Sequence, residues 1–169
     1  MALYKIWNAA MPTTAAIAKV TTGTAVKTML QVATPSTNQA RVHSWGFTLD
    51  DPPGADAVVE LMQADVAATV TAHSASGVQP IVTGAPAAVF TLGTGATGFT
   101  ATVEGSITAV RTFDAVLLSS VSGESPLTYG YQFLPAERPV IPVSSFLRVR
   151  ATTPTTAADM LCWVAIEQL

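Results

Sequence analysis

The chain reads as an all-β domain of the jelly-roll or β-sandwich type, about eight antiparallel strands preceded by an N-terminal arm. Three observations predict this. Apolar residues alternate with polar ones over short segments, clusters of Pro, Gly, Asp, Asn and Thr punctuate those segments, and no amphipathic helical pattern lies between them. Residues 1–23 form the expected arm and residues 24–169 the single sandwich domain.

The first strand after the arm covers residues 25–33, with Val26, Leu30 and Val32 on one face and Lys27, Met29 and Gln31 on the other. Thr34-Pro35-Ser36-Thr37-Asn38 ends it, because proline removes a ladder donor and Asn favours turns. Residues 41–49 follow, placing His43, Trp45, Phe47 and Leu49 opposite Val42, Ser44, Gly46 and Thr48. Asp50-Asp51-Pro52-Pro53-Gly54 is the strongest turn signal in the chain. Val58 to Ala64 contains good helix formers, but so short a run between turn signals favours a strand. From Asp65 to Gly98 the Ala-, Thr-, Gly- and Ser-rich composition predicts short strands within long loops. Further strands are expected at Phe99–Val103, Val110–Ser119, around Tyr129, Tyr131 and Phe133, at Phe146–Thr152 and at Met160–Glu167. In the arm, Met11–Lys19 suits a short helix or an extended run.

Hydrophobic residues make up 49% and charged residues only 11% of the chain, against about 25% charged in ordinary soluble domains. So sparse a charged surface suits a protein that hides part of itself against partners. The net charge of −3 and five scattered arginines do not fit a nucleic-acid binder, which needs clustered cations. No apolar run approaches the roughly 18 residues of a membrane helix, and the N-terminus lacks the pattern of a signal peptide. With one cysteine, Cys162, no intrachain disulfide or Cys-based zinc site can form, and no cofactor is expected.

Catalytic patterns are weak throughout. Asp50, Asp51 and Asp56 offer oxygens to a cation but at ordinary turn positions. His43, His73 and Cys162 supply the residue types of a Cys–His nucleophile, yet Cys162 lies in an apolar strand that suits a small buried hydrophobe. Glu104, Glu124 and Glu137 have no spacing that ties two of them together. Gly93, Gly95 and Gly98 spell a dinucleotide-type motif, but a strand rather than a helix follows it. A binding or structural role is therefore expected, not an enzyme. Leu3, Tyr4, Ile6 and Trp7 make an apolar run that either packs under the domain or reaches a neighbour. Tyr129 and Tyr131 suit a core face or an interface, and Arg148 and Arg150 share a face that is solvated or pairs with acidic groups of a partner.

Three stretches, Lys27–Pro35, Val42–Phe47 and Phe146–Pro154 with its closing apolar strand, resemble small virion proteins of tailed bacteriophages, of the capsid decoration (cement) or minor structural kind. The resemblance implies a jelly-roll subunit located in the virion, a homotrimer that binds the major capsid protein or another virion component on the head surface. The alternative is a carbohydrate- or receptor-binding module of a phage tail or adhesin, suggested by the same fold and by Trp45, Tyr129 and Tyr131.

Overall fold

The computed structural model describes residues 2–121 and 127–169. Its strands are β1 (Leu3–Trp7), β2 (Val20–Thr21), β3 (Val26–Ala33), β4 (Ala40–Leu49), β5 (Ala57–Ala64), β6 (Thr69–Ala72), β7 (Gly98–Val103), β8 (Val110–Leu118), β9 (Thr128–Gln132), β10 (Val140–Ile141), β11 (Phe146–Thr152) and β12 (Asp159–Gln168). A 3-10 turn at Ala75–Gly77 is the one helical element among the described residues, and Met11–Lys19 runs as irregular chain.

Two six-stranded antiparallel sheets pack face to face. One has the order β1-β12-β4 with β9 and β10 both pairing β4 and β2 pairing β12; the other runs β6-β7-β3-β11-β5-β8. The pairings are nested: β1 with β12, β3 with β11, β4 with β9 and β5 with β8. The chain is thus one long antiparallel ribbon, doubled back between β5 and β8 and wrapped so that its two layers alternate between sheets. That is the jelly-roll arrangement. The turns at 34–39 and 50–56 are where the ribbon crosses from one sheet to the other, which is why turn-forming residues cluster there.

Strand alternation fills the space between the sheets. Tyr4 and Ile6 of β1, Trp45 and Phe47 of β4, Leu61 of β5, Val149 of β11 and Val164 and Ile166 of β12 are all buried there. Full burial of such a side chain contributes about 1.5–3 kcal/mol. Bulges correct the simple alternation. Ala165 faces Ser44 while Ile166 faces Val42, so β4 carries one extra residue, His43. Val42 thereby joins Trp45 and Phe47 in the core, and His43 turns outward to bond Glu167 at 3.0 Å. A second bulge at Met29, between Leu30 and Thr28, shifts the phase of β3 likewise, but there the extra residue stays buried in the core.

The outer face of β3 and β11 is covered rather than solvated. Gln31 and Arg148 are both fully buried beneath it. Gln31 donates to the Ala96 carbonyl at 2.6 Å and accepts from the Ala68 amide at 2.8 Å. Arg148 donates to the Val66 carbonyl and, at 3.1 Å, to the Glu104 carbonyl. Two long polar side chains therefore clamp the loops before β6, before β7 and after β7 onto the sheet.

The first residues join the same sandwich. β1 pairs along its whole length with β12, and buried Asn8 continues the contact by donating to the Met160 carbonyl and accepting from the Cys162 amide. Further on, Thr22 and Ala158 exchange backbone and side-chain hydrogen bonds, and Lys19 pairs with Asp50 at 2.6 Å.

Gly46 meets a requirement of close approach. A Cβ there would lie 2.5 Å from the Tyr129 carbonyl and 3.0 Å from the Trp163 ring, which rests over it. Gly46→Ala should cost about 1–3 kcal/mol by overpacking. In thermal unfolding this appears as a drop of about 2–4 °C per kcal/mol, and an unchanged midpoint would refute the steric account.

Candidate functional site

β8 ends one sheet and β9 flanks the other, so the sandwich gapes along this side. Within β8 the register places Asp114 opposite core residue Leu61 and Thr112 opposite Met62, leaving Phe113 as the extra residue of a bulge. Asp114 therefore points between the sheets, where a carboxylate needs partners. It has three. Its Oδ2 accepts from Trp45 Nε1 at 2.9 Å and from the Tyr129 hydroxyl at 2.7 Å, while Oδ1 accepts from the Ala115 amide at 2.9 Å.

These bonds lock an aromatic cluster. Trp45 and Tyr129 lie 5.4 Å apart between ring centroids, and Phe47 stacks on Tyr129 at 5.7 Å. Desolvation, with Asp114's hydrogen bond and charge, pushes the Tyr129 hydroxyl up to about 12, so it remains a donor at neutral pH.

In front of this cluster is an open groove of about 350 Å³, lined by Phe113, Asp114, Tyr131, Phe133 and Glu137. Tyr131 is 40% exposed and meets Phe133 edge-on at 5.0 Å. Arg111 lies over the Phe113 ring at 5.2 Å. Glu137 comes from the turn after β9, closed by its amide donating to the Leu134 carbonyl at 2.8 Å. Its carboxylate makes no hydrogen bond or ion pair with another described residue.

The residues singled out from sequence are distributed as follows. Tyr4 and Ile6 are enclosed by the protein's own core, Tyr4 donating to the Pro86 carbonyl at 2.7 Å. Leu3 and Trp7 are half-buried on the opposite face of β1, and Lys5 covers the rings of both Trp7 and Trp163, 4.7 and 4.0 Å from their centroids. Tyr129 is half-buried behind Asp114, whereas Tyr131 is exposed in the groove. Arg148 and Arg150 do find acidic partners, but in their own chain: Glu104 at 3.4 Å and Glu60 respectively.

The weaker candidates are not brought together. Asp50 serves Lys19 and the Asp159 amide, and Asp56 accepts from Ser120. No group of three metal-ligating side chains exists among the described residues. Cys162 is buried, its thiol pushed well up by desolvation. His43 bonds Glu167, and His73, its pKa lowered by burial, bonds the Trp7 carbonyl at 2.7 Å. Glu104 bonds Thr28 and Arg148, Glu137 enters the groove, and Glu124 lies outside the described residues. Gly93 and Gly95 belong to a loop and Gly98 opens β7.

Asp114 was not among the sequence candidates. The signal for it was present: a lone carboxylate in the interior phase of an apolar strand, Val110–Leu118. No family model, curated protein or solved structure matches this chain.

Proposed function

We propose that the protein is a structural subunit of a viral particle, a capsid decoration (cement) protein that self-associates as a trimer and binds the outer surface of a tailed-phage head. The observation that carries this reading is the uncovered outer surface of β5 and β8, continued onto the Arg150–Thr152 end of β11 beyond the loops that cover Arg148. Leu117, 71% exposed, stands there with Ala115, Val58 and Thr152. The charged groups at its centre, Glu60 and Arg150, already neutralise each other. Burying this surface desolvates little uncompensated charge, the usual obstacle to close association. The jelly roll is a recurrent architecture of viral capsid domains, an analogy of fold alone. The 11% charged composition and the resemblance of three strand regions to decoration proteins add to it. Many copies, each burying about 800 Å² per partner, would reinforce a shell through multivalency.

Light scattering coupled to size exclusion should give three times the 17.5 kDa chain mass, and the protein should co-sediment with phage heads stripped of decoration. Leu117→Asp should weaken self-association at least about tenfold by burying an unpaired charge. A wild-type monomer at micromolar concentration that stays in the supernatant with such heads would overturn the reading.

A further inference from the structure

We propose that the groove between β8 and β9 is a binding site for a neutral pyranose unit of a glycan. Three kinds of group converge there. Tyr131 presents an exposed ring of the kind on which the C–H face of a sugar stacks, and Phe133 holds it edge-on. Phe113 supplies a second aromatic wall. Glu137 and Asp114 supply acceptors for hydroxyl donors.

The acceptors differ in a useful way. Asp114 uses three of its roughly four acceptor positions on Trp45, Tyr129 and Ala115, which fixes its orientation and leaves about one for a ligand hydroxyl. Glu137 is uncommitted within the described chain, so both of its oxygens can accept from adjacent hydroxyls of one ring. A rigid acceptor and an adjustable one, flanking aromatic rings, suit a ligand with an apolar face and a hydroxylated edge.

Charge selects the neutral ligand. The lining carries two carboxylates: Asp114 shares its charge with the Trp45, Tyr129 and Ala115 donors, and Arg111 on Phe113 offsets one formal charge. The hydroxyls of a neutral sugar donate to both carboxylates, whereas an anionic sugar is repelled by them, a tetramethylammonium ion brings them no hydrogen-bond donor, and a purely apolar ligand leaves them unpaired. The volume, about 350 Å³, lies at the small end of the ~300–1,000 Å³ typical of small-molecule sites.

The site is separate from the surface proposed for self-association. Along β8 the register sends Asp114 inward with Leu118, whereas Leu117 faces out, so each proposal can fail without the other. The test is binding of the full chain to immobilised terminal glucose, galactose, mannose, N-acetylglucosamine and N-acetylgalactosamine, beside sialylated and tetramethylammonium surfaces. Retention on at least one neutral sugar is expected, confirmed in solution by saturation-transfer NMR with the corresponding methyl glycoside. Tyr131→Ala and Glu137→Gln should each weaken it at least about tenfold, and Leu117→Asp should leave it unchanged. Both groove side chains are exposed, so the two variants should keep the wild-type unfolding midpoint. The proposal is overturned by no retention on any neutral pyranoside, by capture on the ammonium or sialylated surface instead, or by full binding in either groove variant.

Discussion

Arg148→Ala should lower the free energy of unfolding by about 3–5 kcal/mol, the range for removing one partner of a buried ion pair. Arg148 is fully buried, with its Glu104 partner three-quarters buried. Its guanidinium also donates to the Val66 and Glu104 carbonyls. Removing it strands those two acceptors and deprives the Glu104 carboxylate of its cation. Burial lowers the guanidinium's pKa while the charge of Glu104 opposes that shift, and a guanidinium remains charged under such a pull. Glu104 would still be held by the Thr28 amide and hydroxyl at 2.5 and 2.6 Å. Pairing Arg148→Met with Glu104→Gln should recover part of the loss, because the carboxylate and its unmet charge go together. Urea denaturation monitored by tryptophan emission measures both, and a loss within about 0.5 kcal/mol for Arg148→Ala would show that the clamp over β3 is not structural.

Asp114→Ala should cost about 2–6 kcal/mol, since Trp45 Nε1 and the Tyr129 hydroxyl lose their acceptor together, each at about 1–3 kcal/mol. Trp45 is fully buried, so water does not readily substitute. Asp114→Asn, which keeps one acceptor oxygen, should cost less. The same contact predicts an alkaline effect. Tyr129 is held up to about 12 in the folded protein and titrates near 10 when unfolded. The folded state therefore retains a proton that the unfolded state releases. This contribution is fully present below about pH 10 and is lost as pH rises from about 10 through about 12. In a Tyr4→Phe background, which removes the other tyrosine raised by burial, spectrophotometric titration should show one late group. In Asp114→Ala that group should move only part of the way back, because desolvation, the largest cause, remains. A midpoint unmoved by the substitution would contradict the assigned hydrogen bond.

Much of the strand content was legible because a half-buried strand must alternate. Trp45, Phe47 and Leu49 declare one face of β4, and Leu147, Val149 and Ala151 one face of β11. The crossings at Thr34–Asn38 and Asp50–Gly54 were equally legible, since local φ restriction and missing donors act over a few residues. The bulges were not. Val42 reads as opposite Trp45 in any periodic count, and only pairing with β12 reveals the extra residue at His43. The groove was half legible: Tyr131 and Glu137 were named on separate grounds, but nothing local joins them to Asp114 across the sandwich.

What the sequence determined by itself is the all-β ribbon with its turns, because propensity, alternation and turn chemistry are local. Tertiary structure alone decided which of two faces each polar residue occupies. Gln31 and Arg148, at polar phases of good strands, are buried because distant loops supply their hydrogen-bond partners. Asp114, in an apolar strand, is tolerated because Trp45 and Tyr129 meet it from the other sheet. Burial of a polar group depends on partners far away in the chain, and a linear pattern carries no record of them.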